Sequence, residues 1–161
     1  MKILVFSDSH GSVNFMCSAI DTEKPDSVIH LGDCTGDAAY LCEKYPFLPV
    51  VSVKGNCDYA DFMTPEQREY MYDSIKILCV HGHNYGVKAG LLRLYLAAKE
   101  KTVHIALFGH THCAFCENRD NIWMMNPGTC RAGSRQTYGI IEISNGSAVC
   151  RIKTETEGKK L

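Results

Sequence analysis

Asp8 and His10 are two metal-capable side chains separated by one residue, and they close the apolar run Ile3 to Phe6. In an extended segment residues i and i+2 point to the same side, so a carboxylate and an imidazole leave this strand end aimed at one point. Asp33, Asn56, His81, His110 and His112 each follow a later apolar run in the same way. The set comprises two carboxylates, one amide oxygen and four imidazoles. A single transition-metal ion takes about four to six ligands, so the set is too large for one ion and suits two ions sharing a carboxylate. Two ions about 3.5–4 Å apart clamp the attacking and leaving oxygens of a displacement at phosphorus and bring the pKa of a bound water toward about 7.

Taken singly, each residue has a plainer reading. A lone Asp-x-His pair is common, His81 or His110 alone reads as an ordinary loop histidine, and Gly-Asp and Gly-Asn are turn signals. The force of the pattern lies in its recurrence: five strand ends carry ligand-type residues in a chain with 7 histidines. His30 and His104 serve as controls, because each lies inside an apolar segment and is read as structural.

Those strand ends need strands. Ile3 to Phe6 has the unbroken apolar character of a strand buried on both faces. Ser12 is placed to cap a helix whose Val13, Met16, Cys17 and Ile20 fall at helical spacing, ended by Lys24-Pro25-Asp26. A strand over Ser27 to Leu31, a polar helix over Asp37 to Lys44 and a strand over Leu48 to Val53 follow. Tyr59 to Asp73, with Pro65 inside, reads as a short helical turn or an edge hairpin. A strand over Ser74 to Val80, a helix over Val87 to Lys99 and a strand over His104 to Phe108 complete the alternating part. Ile122 to Met125, Tyr138 to Ile143 and Ala148 to Ile152 read as strands without helices between them, the last two joined by a type I′ turn at Asn145-Gly146. Alternating strands and helices imply a parallel sheet with covering helices, with sites at the carboxyl ends of the strands. The later strands imply a second sheet packed on the first.

With 161 residues the chain is expected to be one domain, 1–161, carrying a polar, solvated tail over 153–161. A composition of 45% hydrophobic and 22% charged residues is that of a soluble globular protein. A net charge of −1 gives no basic field for bulk nucleic acid or an acidic membrane. No run of 18 apolar residues and no signal peptide are visible, so the expected location is cytoplasmic. The 9 cysteines are scattered, several inside apolar segments, as buried hydrophobes in a reducing compartment are. Cys113-Ala-Phe-Cys116 has no second pair at zinc-ribbon spacing.

Asp8-Ser-His10, Gly32-Asp33, Gly55-Asn56, His81-Gly82-His83 and Gly109-His110-Thr111-His112 together resemble the five blocks of the calcineurin-like metallophosphoesterases. The short chain, the form Gly55-Asn56-Cys57-Asp58 and the turn Asn126-Pro127-Gly128-Thr129 resemble its small bacterial and archaeal phosphodiesterases. The resemblance implies a four-layer αββα sandwich, an α/β fold with two mixed sheets. It implies a first metal on Asp8, His10 and His112, a second on Asn56, His81 and His110, and Asp33 bridging them. Two divalent ions are expected, manganese first, with iron, nickel or zinc accepted by the same mixed ligands. The implied reaction is in-line attack of a metal-bridging hydroxide on a small phosphoester, with a phosphodiester preferred to a monoester. A non-catalytic scaffold on the same fold is the alternative, and a homo-oligomer is left open.

Asn56 would also stand close to a substrate phosphoryl oxygen. Larger relatives carry a histidine directly after that Asn, placed to protonate the leaving group, where this chain has Cys57. Asp58 is then read either as a substitute acid or as a partner orienting His10. His83, two residues after His81, is read either as substrate-binding or as a supporting contact.

Overall fold

The computed structural model of the chain describes residues 1–154. Its elements run β1 (Lys2–Phe6), α1 (Val13–Glu23), β2 (Ser27–His30), α2 (Thr35–Lys44), β3 (Val50–Ser52), β4 (Gln67–Tyr72), β5 (Ile75–Val80), α3 (Leu92–Glu100), β6 (Ile105–Leu107), β7 (Phe115–Arg119), β8 (Ile122–Asn126), β9 (Thr137–Ser144) and β10 (Ser147–Thr154). One five-stranded sheet has the order β10-β9-β1-β2-β3 and the other β4-β5-β6-β8-β7. Each is mixed: β1, β2 and β3 are parallel with β9 antiparallel to β1, and β5, β6 and β8 are parallel with β4 and β7 antiparallel at the edges.

Alternation along β1 explains the layering. Ile3 and Val5 face the second sheet and pack with Ile29 and Ile141 against Ile77, Ile105 and Leu107. Leu4 and Phe6 point the other way, into a core with Phe15, Met16 and Ile20 of α1 and Leu41 of α2. Leu78, Ala106 and Phe108 form the outer face of the second sheet and meet Leu94, Tyr95 and Ala98 of α3. The result is the expected helix–sheet–sheet–helix stack. The cross-sheet face of β1 and the helix face of β1 are both apolar, hence the unbroken run in the sequence.

Several elements differ from expectation. Ser12 precedes α1, but its hydroxyl makes no cap and instead accepts the Ala132 N–H at 2.7 Å. The helix expected from Asp37 starts at Thr35, and the one expected from Val87 starts at Leu92 because Gly86 and Gly90 take positive φ. The edge-hairpin reading of Tyr59 to Asp73 holds for its second half, β4. Strand β7 is unanticipated: it is a polar edge strand, turning into β8 through Asp120 and Asn121, both at positive φ. Asn145 and Gly146 both take positive φ, as a type I′ turn requires. Strand β10 runs on to Lys153 and Thr154, paired with Tyr138 and Thr137, so the tail expected from 153 begins later; its remainder, 155–161, lies outside the described residues. All nine cysteines are free, with Cys17, Cys79, Cys130 and Cys150 buried but Cys42, Cys57 and Cys113 exposed, so the buried-hydrophobe reading fits only part of them. His104 is exposed just before β6 rather than inside it, and its Nδ1 accepts the Lys76 N–H at 3.0 Å. No helix among the described residues is long and apolar enough to cross a membrane.

Candidate metal centre

Asp8, Asp33 and Asn56 follow the carboxyl ends of the parallel neighbours β1, β2 and β3, while His81, His110 and His112 follow β5 and β6 of the facing sheet. The two strand-end edges are tied to each other. The Gly109 N–H donates to the His81 carbonyl at 2.8 Å within the second sheet, and the His110 N–H donates to Asp8 Oδ2 at 3.1 Å across to the first. Two glycines are dictated by close approach. A Cβ on Gly109 would overlap Ser7 Oγ and lie 2.8 Å from Asp8 Oδ2, and one on Gly32 would overlap the backbone of Gly55. Asp8, His10, Asp33, His110 and His112 all take positive φ, between 45° and 68°. Side chains other than Gly adopt this region at a cost, so the surrounding packing holds these five in place.

Asp8, His10, Asp33 and His112 each present a ligand atom within 4.8 Å of the others. Asp8 is fully buried; its Oδ2 accepts the Ser7 hydroxyl at 2.5 Å and the His110 N–H, whereas Oδ1 has no hydrogen-bond partner. That orphaned oxygen lies 3.1 Å from Nε2 of His112 and 4.0 Å from Nε2 of His81. A buried, unpaired carboxylate oxygen facing imidazole nitrogens is satisfied by a cation between them.

His81 makes the same case from the other side. Its Nδ1 lies 2.7 Å from the Leu31 carbonyl, so Nδ1 carries the proton and Nε2 presents a lone pair. That lone pair faces Asn56 Oδ1 at 3.2 Å and Asp33 Oδ1 at 3.5 Å, both acceptors. Asp33 Oδ2 lies on the opposite side, 3.9 Å from Nε2 of His10. The two oxygens of Asp33 are thus divided between the two groups of imidazoles. Burial pushes the Asp33 carboxyl up, but the Cys57 N–H at 2.9 Å and the neighbouring His81 outweigh it and hold it below the usual range. The donor set therefore fits divalent metal: oxygen and imidazole ligands, with lone pairs converging and no proton between them.

His110 stacks edge-on with His81, ring centres 5.1 Å apart, and burial followed by His81 holds its imidazole below its ordinary value. His83 completes a three-ring group, 5.5 Å from His81 and 6.1 Å from His110. Its Nδ1 is buried without a partner, and burial likewise holds its imidazole below its ordinary value. Asp58 is where both sequence readings need correction. Its Oδ2 accepts the N–H groups of Asp33 and Gly55 at 2.9 and 2.7 Å, and its Oδ1 those of Cys34 and Thr35 at 2.8 and 2.9 Å. Four backbone donors fill the carboxylate, so it neither offers a proton to a leaving group nor reaches His10. It instead clamps the Asp33 loop to the Gly55 loop and caps α2, where a negative charge also suits the helix dipole. Cys57 is exposed beside Asn56, its thiol pushed up to about 11 by partial burial and by Asp33.

The supports were mostly invisible in the sequence. His30 is fully buried; its Nδ1 accepts the Gly32 N–H at 3.3 Å, so its Nε2 donates to Ser9 Oγ at 2.9 Å. Ser9 donates in turn to Asp37 Oδ2 at 2.6 Å, which also accepts the Gly11 N–H at 2.8 Å. This chain braces the loop that carries His10. The Thr129 hydroxyl donates to the Asp8 carbonyl at 2.8 Å, and Asn126 Nδ2 to the Gly109 carbonyl at 2.9 Å. The Asn126-Pro127-Gly128-Thr129 turn thus ties both ligand loops together; its Asn-Pro-Gly form was the one signal for it.

Residues 1–146 match the family model described as the calcineurin-like phosphoesterase superfamily domain. Bacillus subtilis YsnB, named a probable metallophosphoesterase, is 35% identical over 158 residues, which span 94% of this chain and 89% of YsnB. MJ0936 of Methanocaldococcus jannaschii, named a phosphodiesterase, is 26% identical over 148 residues, 81% of this chain and 84% of MJ0936. The crystal structure of a predicted phosphoesterase from Streptococcus pneumoniae superposes with a TM-score of 0.76 at 28% identity, covering 95% of this chain and 88% of that one.

Proposed function

This chain belongs to the calcineurin-like phosphoesterase superfamily, and we propose that, as a metal-dependent phosphoesterase, it hydrolyses phosphodiesters at a centre of two divalent ions. The observation that carries this reading is the buried, unpaired Asp8 Oδ1 facing the imidazoles, repeated by the His81 lone pair facing Asn56 and Asp33. Asp8, His10, Asp33 and His112 would hold one ion, and Asp33, Asn56, His81 and His110 the other. The split orientation of the Asp33 oxygens supports its bridging role. When bound, the ions supply Lewis acidity at phosphorus and hydroxide near neutral pH for in-line attack.

The chain's own residues do the positioning. Ser7, the His110 N–H and Thr129 fix Asp8, and Leu31 fixes the His81 tautomer. Asn56 stands beside the centre, where it can contact a phosphoryl oxygen, and the His83 ring supports the rings of His81 and His110. Asp58 positions the two loops that carry Asp33 and Asn56. Asp58, with its oxygens filled by four backbone N–H groups, is not free to protonate a departing alkoxide, so esters with good leaving groups are the expected substrates. Manganese is the expected ion, and iron, nickel and zinc suit the same donors.

The test is direct. Protein stripped with chelator and reloaded with Mn²⁺ should hydrolyse bis-p-nitrophenyl phosphate faster than p-nitrophenyl phosphate, and Asp33→Ala should abolish both activities. Protein that binds two ions and cleaves neither ester would favour a scaffold on the same fold.

A further inference from the structure

A cleft of about 720 Å³ opens beside the metal centre, a size within the range of small-molecule sites. Its walls are the amino-terminal half of α2, the free edge of β3 and the 57–64 loop, with Thr35, Ala39, Ser52, Cys57, Tyr59 and Met63 prominent. It adjoins the centre through Cys57, which lines it and donates its N–H to Asp33 Oδ1. The loop carries three large side chains turned to solvent: Tyr59 is 85% exposed, Phe62 87% and Met63 91%. Of these, Tyr59 and Met63 line the cleft and offer apolar surface that a ligand seated there would cover.

The charge of the lining narrows the ligand. No Lys, Arg or His is among the lining residues, and the carboxylates of Asp58 and Asp61 are. Asp58 is filled by four backbone N–H groups, and Asp61 Oδ1 accepts those of Met63 and Thr64 at 2.9 Å, so neither carboxylate has a donor to offer an incoming anion. A second phosphate or a carboxylate would enter against two carboxylates with no cationic side chain in the lining, since Lys54 Nζ is turned to the Asp61 carbonyl at 3.3 Å and does not line the cleft. A flat, uncharged group would lie on alanine, valine, methionine and tyrosine surfaces, with the hydroxyls of Thr35 and Ser52 at hand.

We propose that this cleft is the subsite for an ester substituent of the substrate, and that it selects phosphodiesters carrying an uncharged planar group, an aryl ring or a nucleobase-like heterocycle. The inference rests on the phosphodiesterase reading, and it makes Ala39, Ser52, Tyr59 and Met63 specificity-determining residues.

The experiment compares three diesters of equal phosphate charge on zinc-loaded, full-length protein: diphenyl phosphate, dimethyl phosphate and bis(4-carboxyphenyl) phosphate. Affinities come from titration, and the bound positions from amide chemical shifts. Diphenyl phosphate should bind at least about tenfold more tightly than the other two, with shifts concentrated at residues 36–42, 50–52 and 59–64. Ala39→Trp, which fills the cleft from an exposed helix position, should erase the preference for diphenyl phosphate. Tyr59→Ala, at a side chain that supports no packing, should reduce it and guards against a folding defect in the first variant. Equal binding of diphenyl and dimethyl phosphate, tighter binding of the carboxylated diester, or aryl-dependent shifts lying elsewhere would each overturn the proposal. Diphenyl phosphate seated in the cleft of a protein that cleaves no diester would uphold the subsite and refute the catalytic reading. Cleavage of bis-p-nitrophenyl phosphate without cleft shifts would do the reverse.

Discussion

Asp8→Asn should make the metal-free protein no less stable and the metal-loaded protein much less so. In the structure Asp8 is fully buried, Oδ2 holds the Ser7 hydroxyl and the His110 N–H, and Oδ1 holds nothing. A buried polar atom without a partner costs about 1–3 kcal/mol, and a charged one more. An asparagine keeps one oxygen for the two donors and removes the charge, so in chelator the variant should match the parent or exceed it by about 1–2 kcal/mol. For a domain of this size each kcal/mol moves the midpoint of thermal unfolding by roughly 2–4 °C. Metal reverses the order. At 100 times its dissociation constant a ligand of the native state adds about 2.7 kcal/mol, roughly 5–10 °C, and the variant should gain little of this. Thermal and urea unfolding in EDTA and across a Mn²⁺ titration should therefore give curves that cross. A variant more than about 1 kcal/mol below the parent in EDTA would show that Asp8 is structural and that its orphaned oxygen is no mark of a cation site.

Asp58→Asn offers one oxygen where the carboxylate offered two, so it strands a pair of N–H groups at a cost of about 1–3 kcal/mol each. It should slow cleavage of aryl and alkyl diesters by the same factor, whereas a loss confined to alkyl esters would restore Asp58 as the acid. Gly109→Ala forces a Cβ onto Ser7 Oγ and should destabilise by about 1–3 kcal/mol in urea melts while weakening metal binding measured by competition with a chelating dye. Glu23 accepts Lys153 Nζ at 2.5 Å, Lys2 Nζ at 3.3 Å and the Tyr138 hydroxyl at 3.1 Å, and these bonds, Lys153 foremost, hold its carboxyl below the usual range. Its folded pKa is lower than its unfolded one, so its contribution is complete above about pH 4.3 and fades as pH falls through the folded value. Glu23→Gln should cost at most about 1 kcal/mol near pH 7, and the difference from the parent should vanish in acid melts.

What could be read in the sequence was whatever a local pattern determines. The apolar run of β1, the type I′ turn at Asn145-Gly146 and the ligand types at strand ends are all properties of a few adjacent residues. What could not be read depends on partners distant in the chain. Ser12 has the chemistry of a cap, yet Ala132 claims its hydroxyl. Asp58 looks like a spare acid until the N–H groups of Asp33, Cys34 and Thr35 are brought to it from 23 to 25 positions away. Strand β7 has little apolar alternation because it is an edge with one half-buried end, and the pairing with β8 alone makes it a strand. His30 was legible as a structural histidine of β2, but its link to Ser9 and Asp37 was not, since their line of hydrogen bonds exists only after β1, β2 and α2 have met.

The position of β1 also sets a schedule for the newly made chain. Its neighbours are β2, completed by His30, and β9, which ends at Ser144. His112, the last candidate ligand, is therefore synthesised before the strand that closes the sheet around Asp8. At about 5–20 residues per second, roughly two to six seconds separate the two events. During that interval all seven candidate ligands exist, but the mount that aims the first of them is unfinished. Metal capture should then follow completion of the chain rather than accompany it, and a nascent polypeptide stalled between His112 and β9 should hold ions no better than an unfolded one.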